Sequence, residues 1–298
     1  MKVLVLGASG FLGTIVHKVL SLNHEVIGTT TSEISQVAGQ INFRYSGSDS
    51  LQILIHRVNP DSVINCIALA DVDQAQADLS LAKFLNFELP RDLSALCQST
   101  GIKLIHISTD HFESSPEGLG EDEVPHPINI YGQTKLDGDL AILRNSNSAS
   151  IVRTNFFAFS HSGDKGLIDF VANSLGASRQ VTGYRNVLFN PVGAHFLAEC
   201  IEKLLISNHH GILNIATSRL LSKYDFLCLV ADRLLLDSSK IISQDYARVA
   251  GSAIRPNCMF LNPSNLLTFL DGKLPSIESQ LDLELSGTIP LLVDKDGK

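Results

Sequence analysis

The stretch Gly7-Ala-Ser-Gly10-Phe-Leu-Gly13 reads G-x-x-G-x-x-G. It lies between the apolar run Lys2–Leu6 and a helical stripe of Ile15, Val16, Val19 and Leu20. Strand, glycine turn and helix in that order constrain a chain strongly, because each glycine marks a place where a side chain would obstruct the backbone. Gly7 permits the sharp turn. Gly10 lets the backbone approach a pyrophosphate at the helix N-terminus, where free N–H groups and the helix dipole favour anions. Gly13 lets the helix close onto the strand. The alternative, a glycine-rich turn with no ligand, lacks a reason for both flanks to be correct.

The rest of the first half repeats the same rhythm. His24–Thr29 reads as a strand, Leu51–Val58 as a helix stopped by Pro60, and Ser62–Ala68 as a buried strand. A helix with Leu81, Leu85, Leu89, Leu93 and Leu96 inside runs to Gly101, followed by the strand Lys103–Thr109. This order predicts an α/β protein with a Rossmann-type doubly wound parallel sheet. After residue 110 the pattern changes. Glu113–Ile128, with three prolines and an acidic run at Glu121–Glu123, reads as a loop, the acidic run as a solvated face. A helix from Tyr131 to Arg144, a strand Ala149–Phe156, a helix around Leu197–Leu205 and a strand Gly211–Ala216 return to the sheet. The expected division is 1–158 with 190–217 as the nucleotide-binding unit. Segments 159–189 and 218–298 form a smaller, interleaved C-terminal substrate-binding unit.

Composition excludes several classes. With 44% hydrophobic residues over 298 positions the chain can bury a full core. A net charge of −8 and no basic block argue against a nucleic-acid partner. Apolar runs are strand-length, so no membrane span or signal peptide is expected. Five cysteines without a C-x-x-C pair predict reduced thiols in a cytoplasmic protein and no zinc-thiolate site. His209-His210 has no companion ligands, so no metal is expected.

Two further features carry chemistry. Tyr131-Gly-Gln-Thr-Lys135 is Y-x-x-x-K, which on a helix places both side chains on one face. An ammonium there favours the phenolate, and a tyrosine so tuned can move a proton at a substrate oxygen. Ser108-Thr109 closes a strand at its carboxyl edge, where ligands of such sheets bind; a hydroxyl there can hold a carbonyl oxygen. The second strand ends in Gly28-Thr29-Thr30-Thr31-Ser32, with no carboxylate to repel a 2′-phosphate. Hydroxyls of Thr29 and Thr30, with Arg44 the nearest cation, favour NADPH, NADH remaining open; a solvated threonine turn is the alternative.

Glycine loop, strand-end Ser-Thr and downstream Y-x-x-x-K together resemble the extended short-chain dehydrogenase/reductase family. Pro60-Asp-Ser-Val-Ile-Asn65-Cys-Ile-Ala68 with Val72-Asp73, Phe84-Leu-Asn86, Ile107-Ser-Thr-Asp110 and Pro127-Ile-Asn-Ile-Tyr131-Gly-Gln-Thr-Lys135-Leu-Asp-Gly138 narrow the resemblance. So do Val152-Arg-Thr154, Ile254-Arg255-Pro256 and Leu261-Asn262. They are similar to the dTDP-4-dehydrorhamnose reductase branch over roughly residues 1–265. The resemblance implies reduction of a 4-keto group on a nucleotide-linked 6-deoxysugar. Thr109 would orient the keto oxygen, Tyr131 would donate the proton, and Lys135 would hold the cofactor ribose and tune Tyr131. Gly7, Ser9, Gly10, Phe11 and Leu12 would line the pyrophosphate. Ala68, Leu69, Ala70 and Ser108 would lie along the cofactor, and Asn86 would either steady that site or be a satisfied polar residue. Asp110, His111, Asn155, Phe156 and Asn190 would face the sugar, and Arg255 would meet a diphosphate or remain a surface arginine.

Departures from the family pattern gather at the sugar end. His111 replaces an aromatic hydroxyl, Phe156 a tryptophan, and Asn186–Val192 a D-Q-x-G-x-P-T segment. Near Ser46 an acidic residue is missing. Phe156, Phe157 and Phe159 are open between stacking on a ligand and core packing. Two other functions stay open: a nucleotide-sugar epimerase or dehydratase with bound NAD, and a non-catalytic NADP-binding regulatory subunit. The nucleotide and sugar are undetermined, as is whether the chain forms a homodimer.

Overall fold

The structure is a computed structural model that describes residues 1–31, 39–248 and 251–286. Ser32 of the hydroxyl-rich turn and the tail 287–298 of the expected second unit lie outside the described residues. Lys2–Leu6 forms β1, with Val3, Leu4, Val5 and Leu6 wholly buried, because helices cover both faces of the sheet it joins. Each such side chain contributes about 1.5–3 kcal/mol relative to an exposed position. The glycine turn then opens α1 (Phe11–Leu20), which buries Val16 and Leu20.

The other sheet strands are β2 (Glu25–Thr30), β3 (Gln40–Asn42), β4 (Ser62–Asn65), β5 (Lys103–Ile107), β6 (Ser150–Thr154) and β7 (Gly211–Ile215). All pair in parallel, in the order β7-β6-β5-β4-β1-β2-β3, which is the doubly wound sheet expected. The three polar-flanked residues of β3 are too few to show a periodicity. From β3 the chain passes through α2 (Ser48–Val58) and returns to β4 on the far side of β1. A crevice therefore opens at the carboxyl ends of β1 and β4.

Three strands are shorter than their apolar runs. Ser62–Ala68 stops at Asn65 and Lys103–Thr109 at Ile107. Ala149–Phe156 is broken at Asn155, whose amide turns onto Asp110, and Phe156–Phe157 pairs instead with Val192–Gly193. Residues past the carboxyl edge stay apolar because loops bury them, so hydropathy does not mark where strand pairing ends.

The long helix expected through Leu81–Leu96 is interrupted. It consists of α3 (Val72–Ala77), α4 (Leu79–Lys83), a π-helical turn Phe84–Glu88 and α5 (Leu89–Thr100). Pro90 has no N–H to offer the Asn86 carbonyl, so the turn widens there. The shift moves Ala82, Asn86, Leu89, Leu93 and Cys97 inside, while Leu81, Leu85 and Leu96 are only half-buried. Gly101 ends α5 with φ 71, as a left-handed cap. Helix α6 (Ile130–Asn145) lies against the widened turn, where a Cβ on Gly138 would stand 2.2 Å from the Asn86 carbonyl oxygen.

Later helices are α7 (Gly166–Gly176), α8 (Ala194–Ile206), α9 (Lys223–Arg233), α10 (Ser264–Phe269) and α11 (Ile277–Leu285). On one sheet face α1 and α8 bury Val16, Leu20, Leu197 and Ile201; on the other, α2 and α5 bury Leu51, Leu54, Leu89 and Leu93. A distinct apolar cluster joins α7, α9 and α11 through Ile168, Val171, Phe226, Val230 and Leu281. No helix of the described residues is long and apolar enough to cross a membrane. All five cysteines are free thiols.

Candidate active site

The glycine turn is held by the second strand. Gly7 adopts φ +78 and donates its N–H to Thr29 Oγ1 at 3.0 Å. A Cβ at Gly13 would lie 2.1 Å from the Gly7 carbonyl oxygen, so helix and turn can meet only through glycine. The N-terminus of α1 faces a cavity of about 460 Å³ lined by Gly7, Ser9, Gly10, Thr29, Thr30 and Arg44. Its donors, hydroxyls and guanidinium suit a dinucleotide with phosphates on it. Ala68 lines the same cavity from the β4 side. Tyr45 and Phe84 line it with rings 4.7 Å apart, and Asp92 on α5 holds the Tyr45 hydroxyl at 2.7 Å. Phe11 packs edge-on against Phe156 at 5.1 Å, and Leu12 is buried in the core, so only the Leu12 backbone is available to a ligand.

Three expected site residues are turned inward instead. Asn86 is wholly buried, accepting from Leu69 N–H at 2.8 Å and donating to Leu69 O and Thr134 Oγ1. It clamps the loop after β4 onto the α6 side and has no group left for a cofactor; Ala70 beyond it is exposed. Ser108 donates its hydroxyl to Asp139 at 2.8 Å rather than toward the crevice. Asn190 bonds Thr217 O and both the N–H and O of Leu261, fully satisfied beneath the surface. In each case long-range partners turn the side chain onto the packed face, which sequence position alone does not reveal.

Thr109, Tyr131 and Lys135 converge at the end of β5. Asn129 caps α6 through Gly132 N–H at 2.8 Å and ties it to Ile254 O at 2.7 Å. One turn on, the Tyr131 phenol is buried within hydrogen-bond reach of the Thr109 hydroxyl. The expected lowering of Tyr131 by Lys135 is not found. Burial pushes the phenol up to about 12, and the Thr109 hydrogen bond offsets that only in part. Lys135 is buried and directed elsewhere, donating to Ile107 O at 2.8 Å and lying 3.3 Å from His106 Nε2. Burial brings its ammonium down to about 8, against the attraction of Asp139.

His111 stands edge-on to the Tyr131 ring at 5.4 Å. It opens onto a second cavity of about 820 Å³, whose wall also includes Asn155, Lys223, Tyr246, Arg255 and Asp73. Burial holds the imidazole neutral, down at about 4, and its Nε2 has no hydrogen-bond partner among the described residues. Arg255 presents its guanidinium to Asp73, with Nη2 2.7 Å from Oδ2, so a diphosphate there would have to share that fork. Lys223 was not legible as a site residue. It is the first residue of α9, one past the Ser222 cap, and its ammonium lies 3.3 Å from the Phe189 ring centre. Nothing in a capping sequence signals that a lysine faces a cavity.

Asp110 is buried behind this wall, with Asn155 Nδ2 on its Oδ2 at 2.9 Å. Burial raises its carboxyl to about 6, opposed mainly by Lys223. The folded protein therefore binds this proton more tightly than the unfolded chain. Stability falls as pH rises from about 4 to about 6, and stays lower above. Asp110→Asn retains an oxygen for Asn155 and removes the charge. It is expected to raise the melting temperature near pH ~7, by at most about 3 kcal/mol of stability, and to leave it unchanged near pH ~4. Parallel melts at the two pH values decide this; equal melting at neutral pH would exclude a destabilising carboxylate.

Residues 1–286 match the family described as RmlD substrate binding domain. The chain is 29% identical to the probable low-salt glycan biosynthesis reductase Agl14 of Haloferax volcanii, over 94% of this chain and 96% of that protein. It is 27% identical to methionine adenosyltransferase 2 subunit beta of Pongo abelii, over 99% of this chain and 89% of that protein. Its fold matches dTDP-4-dehydrorhamnose reductase from Bacillus anthracis in complex with NADP, with a TM-score of 0.83 at 23% identity, covering 96% of this chain and 98% of the other. On a family match that spans nearly the whole chain, this protein belongs to the RmlD substrate binding domain family.

Proposed function

We propose that the protein reduces the 4-keto group of a nucleotide-linked 6-deoxysugar with NADPH. One observation carries this most: the Tyr131 phenol and Thr109 hydroxyl meet at the carboxyl edge of β5, and His111, edge-on to the Tyr131 ring, lines the neighbouring cavity. The reductase names among its relatives point the same way. A nicotinamide cofactor held in the glycine crevice would supply the hydride to the sugar carbon. As hydride arrives, charge develops on the sugar oxygen. Thr109 holds that oxygen by a hydrogen bond, and Tyr131 delivers a proton to it. A phenol near 12 is fully protonated at neutral pH, which is the form a proton donor needs. His111, Asn155 and Lys223 line the sugar side, and Asp110 supports it through Asn155. The sheet segments 1–158 and 190–217 would hold the cofactor, and segments 159–189 and 218–298 the sugar. NADPH and an activated sugar fit a cytoplasmic setting.

Arg44 is exposed and shares the cavity with Thr29 and Thr30, where a 2′-phosphate would sit. Arg44→Ala is expected to weaken NADPH about tenfold, a loss of about 1.4 kcal/mol, with NADH affinity unchanged. Fluorescence titration with both cofactors checks it; equal losses would place the phosphate elsewhere.

The direct test is NADPH oxidation with a panel of nucleotide 4-keto-6-deoxysugars. Turnover on one sugar names the substrate. Tight cofactor binding without turnover on the panel would favour a second reading, a cofactor-binding regulatory subunit. The similarity to a methionine adenosyltransferase subunit across almost the whole chain supports that alternative.

A further inference from the structure

We infer that Asn65 and His106 form a positioning pair that holds Lys135 as a lysine able to give up its proton, by turning an imidazole N–H toward Lys135 Nζ. Both residues are wholly buried and sit opposite each other in the β4–β5 register. The Asn65 amide is oriented by its neighbour, because Oδ1 accepts the Ile67 N–H at 3.1 Å. That leaves Nδ2, which can only donate, 3.0 Å from His106 Nδ1. Nδ1 must then carry a lone pair. Burial, reinforced by Lys135, holds His106 well below its usual pKa, so the ring is neutral and its one proton is on Nε2. Nε2 lies 3.3 Å from Lys135 Nζ.

An ammonium at this position faces an N–H, donor against donor. A neutral amine accepts that N–H with its lone pair and still donates to Ile107 O at 2.8 Å. The pair therefore favours the amine. Opposing it are Asp139, one turn further along α6, and the Cys66 thiol after β4. Asp139 is itself engaged by Arg153 from β6 and by Ser108. Burial is the main cause that brings this lysine down to about 8, and the imidazole N–H facing it acts in the same direction.

The role of this lysine in turnover rests on the proposed reductase function. Lys135 donates to Ile107 O rather than to Tyr131, so it acts on turnover through its charge at the strand end, present below about pH 8 and lost above it.

The tautomer and the titration are measured without substrate, so they stand or fall separately from the reductase assignment. In protein labelled with ¹⁵N-histidine, His106, assigned through bonds from its backbone, is expected to show a bare Nδ1 and a protonated Nε2. A protonated Nδ1 overturns the inference. In ¹⁵N-lysine protein, Lys135 Nζ is expected to lose its proton near pH ~8, and an ordinary lysine value overturns it equally. In Asn65→Asp the carboxylate accepts both the Ile67 N–H and an Nδ1–H, so Nε2 becomes bare and accepts from the ammonium. The Lys135 titration, and the alkaline limb of turnover with it, should move up by a unit or more, about tenfold in proton affinity. A flipped tautomer with an unmoved titration would also overturn the inference. Should that variant fail to fold, the two wild-type spectra decide alone.

Discussion

Tyr131→Phe is expected to lower turnover by about 10²–10⁴-fold and to leave NADPH affinity unchanged, because it removes only the group that delivers the proton. Phenylalanine retains the ring that meets His111 at 5.4 Å and packs with Leu69, Ala75 and Ala82. The lost hydroxyl faces Thr109, which can hold the sugar oxygen instead, so the fold has little reason to change. Melting temperature and cofactor titration on the same sample separate a chemical loss from a structural one. Turnover above roughly a tenth of wild type would mean that the proton comes from elsewhere. A comparable fall in NADPH affinity would mean that Tyr131 acts on binding.

Gly13→Val should strike the cofactor crevice just as hard, through packing rather than chemistry. The added Cβ would stand 2.1 Å from the Gly7 oxygen, 2.8 Å from its carbonyl carbon and 3.0 Å from Ala8 Cα. All three are backbone, with no flexible side chain to move aside. Helix α1 must then lift from β1, carrying its free N–H groups out of line with the phosphates. Overpacking of this kind costs about 1–3 kcal/mol, or roughly 2–5 °C of melting temperature at this size. The expected loss of NADPH affinity is about 100-fold, close to 3 kcal/mol. Unchanged affinity in a destabilised variant would show that the turn serves packing alone.

The legible parts of this protein were those written in local chemistry. A five-residue buried strand, a glycine turn and an amphipathic helix can be recognised because each depends on neighbours within about ten residues. The same holds for the four-residue spacing that places Tyr131 and Lys135 on one turn of α6. Hydropathy failed at the carboxyl edge, where Cys66–Ala68 and Ser108–Thr109 stay buried or half-buried past the last strand residues, Asn65 and Ile107. It failed again at Phe84–Glu88, where Pro90 denied Asn86 a hydrogen bond and rotated the leucine stripe by one position.

Residue identity alone determined the parallel sheet, the glycine turn, and which hydroxyl and lysine stand at the strand end. Periodicity, glycine stereochemistry and i,i+4 spacing are properties of the chain itself. Only the tertiary structure decided what those groups face. It turned Asn86, Ser108 and Asn190 into the packed interior and drew Arg255 to Asp73. It brought Lys223 from a helix start to the cavity wall, and pushed Tyr131 up rather than down. Burial and long-range partners set those outcomes, and both arise from segments far apart in the chain, whose juxtaposition no local pattern encodes.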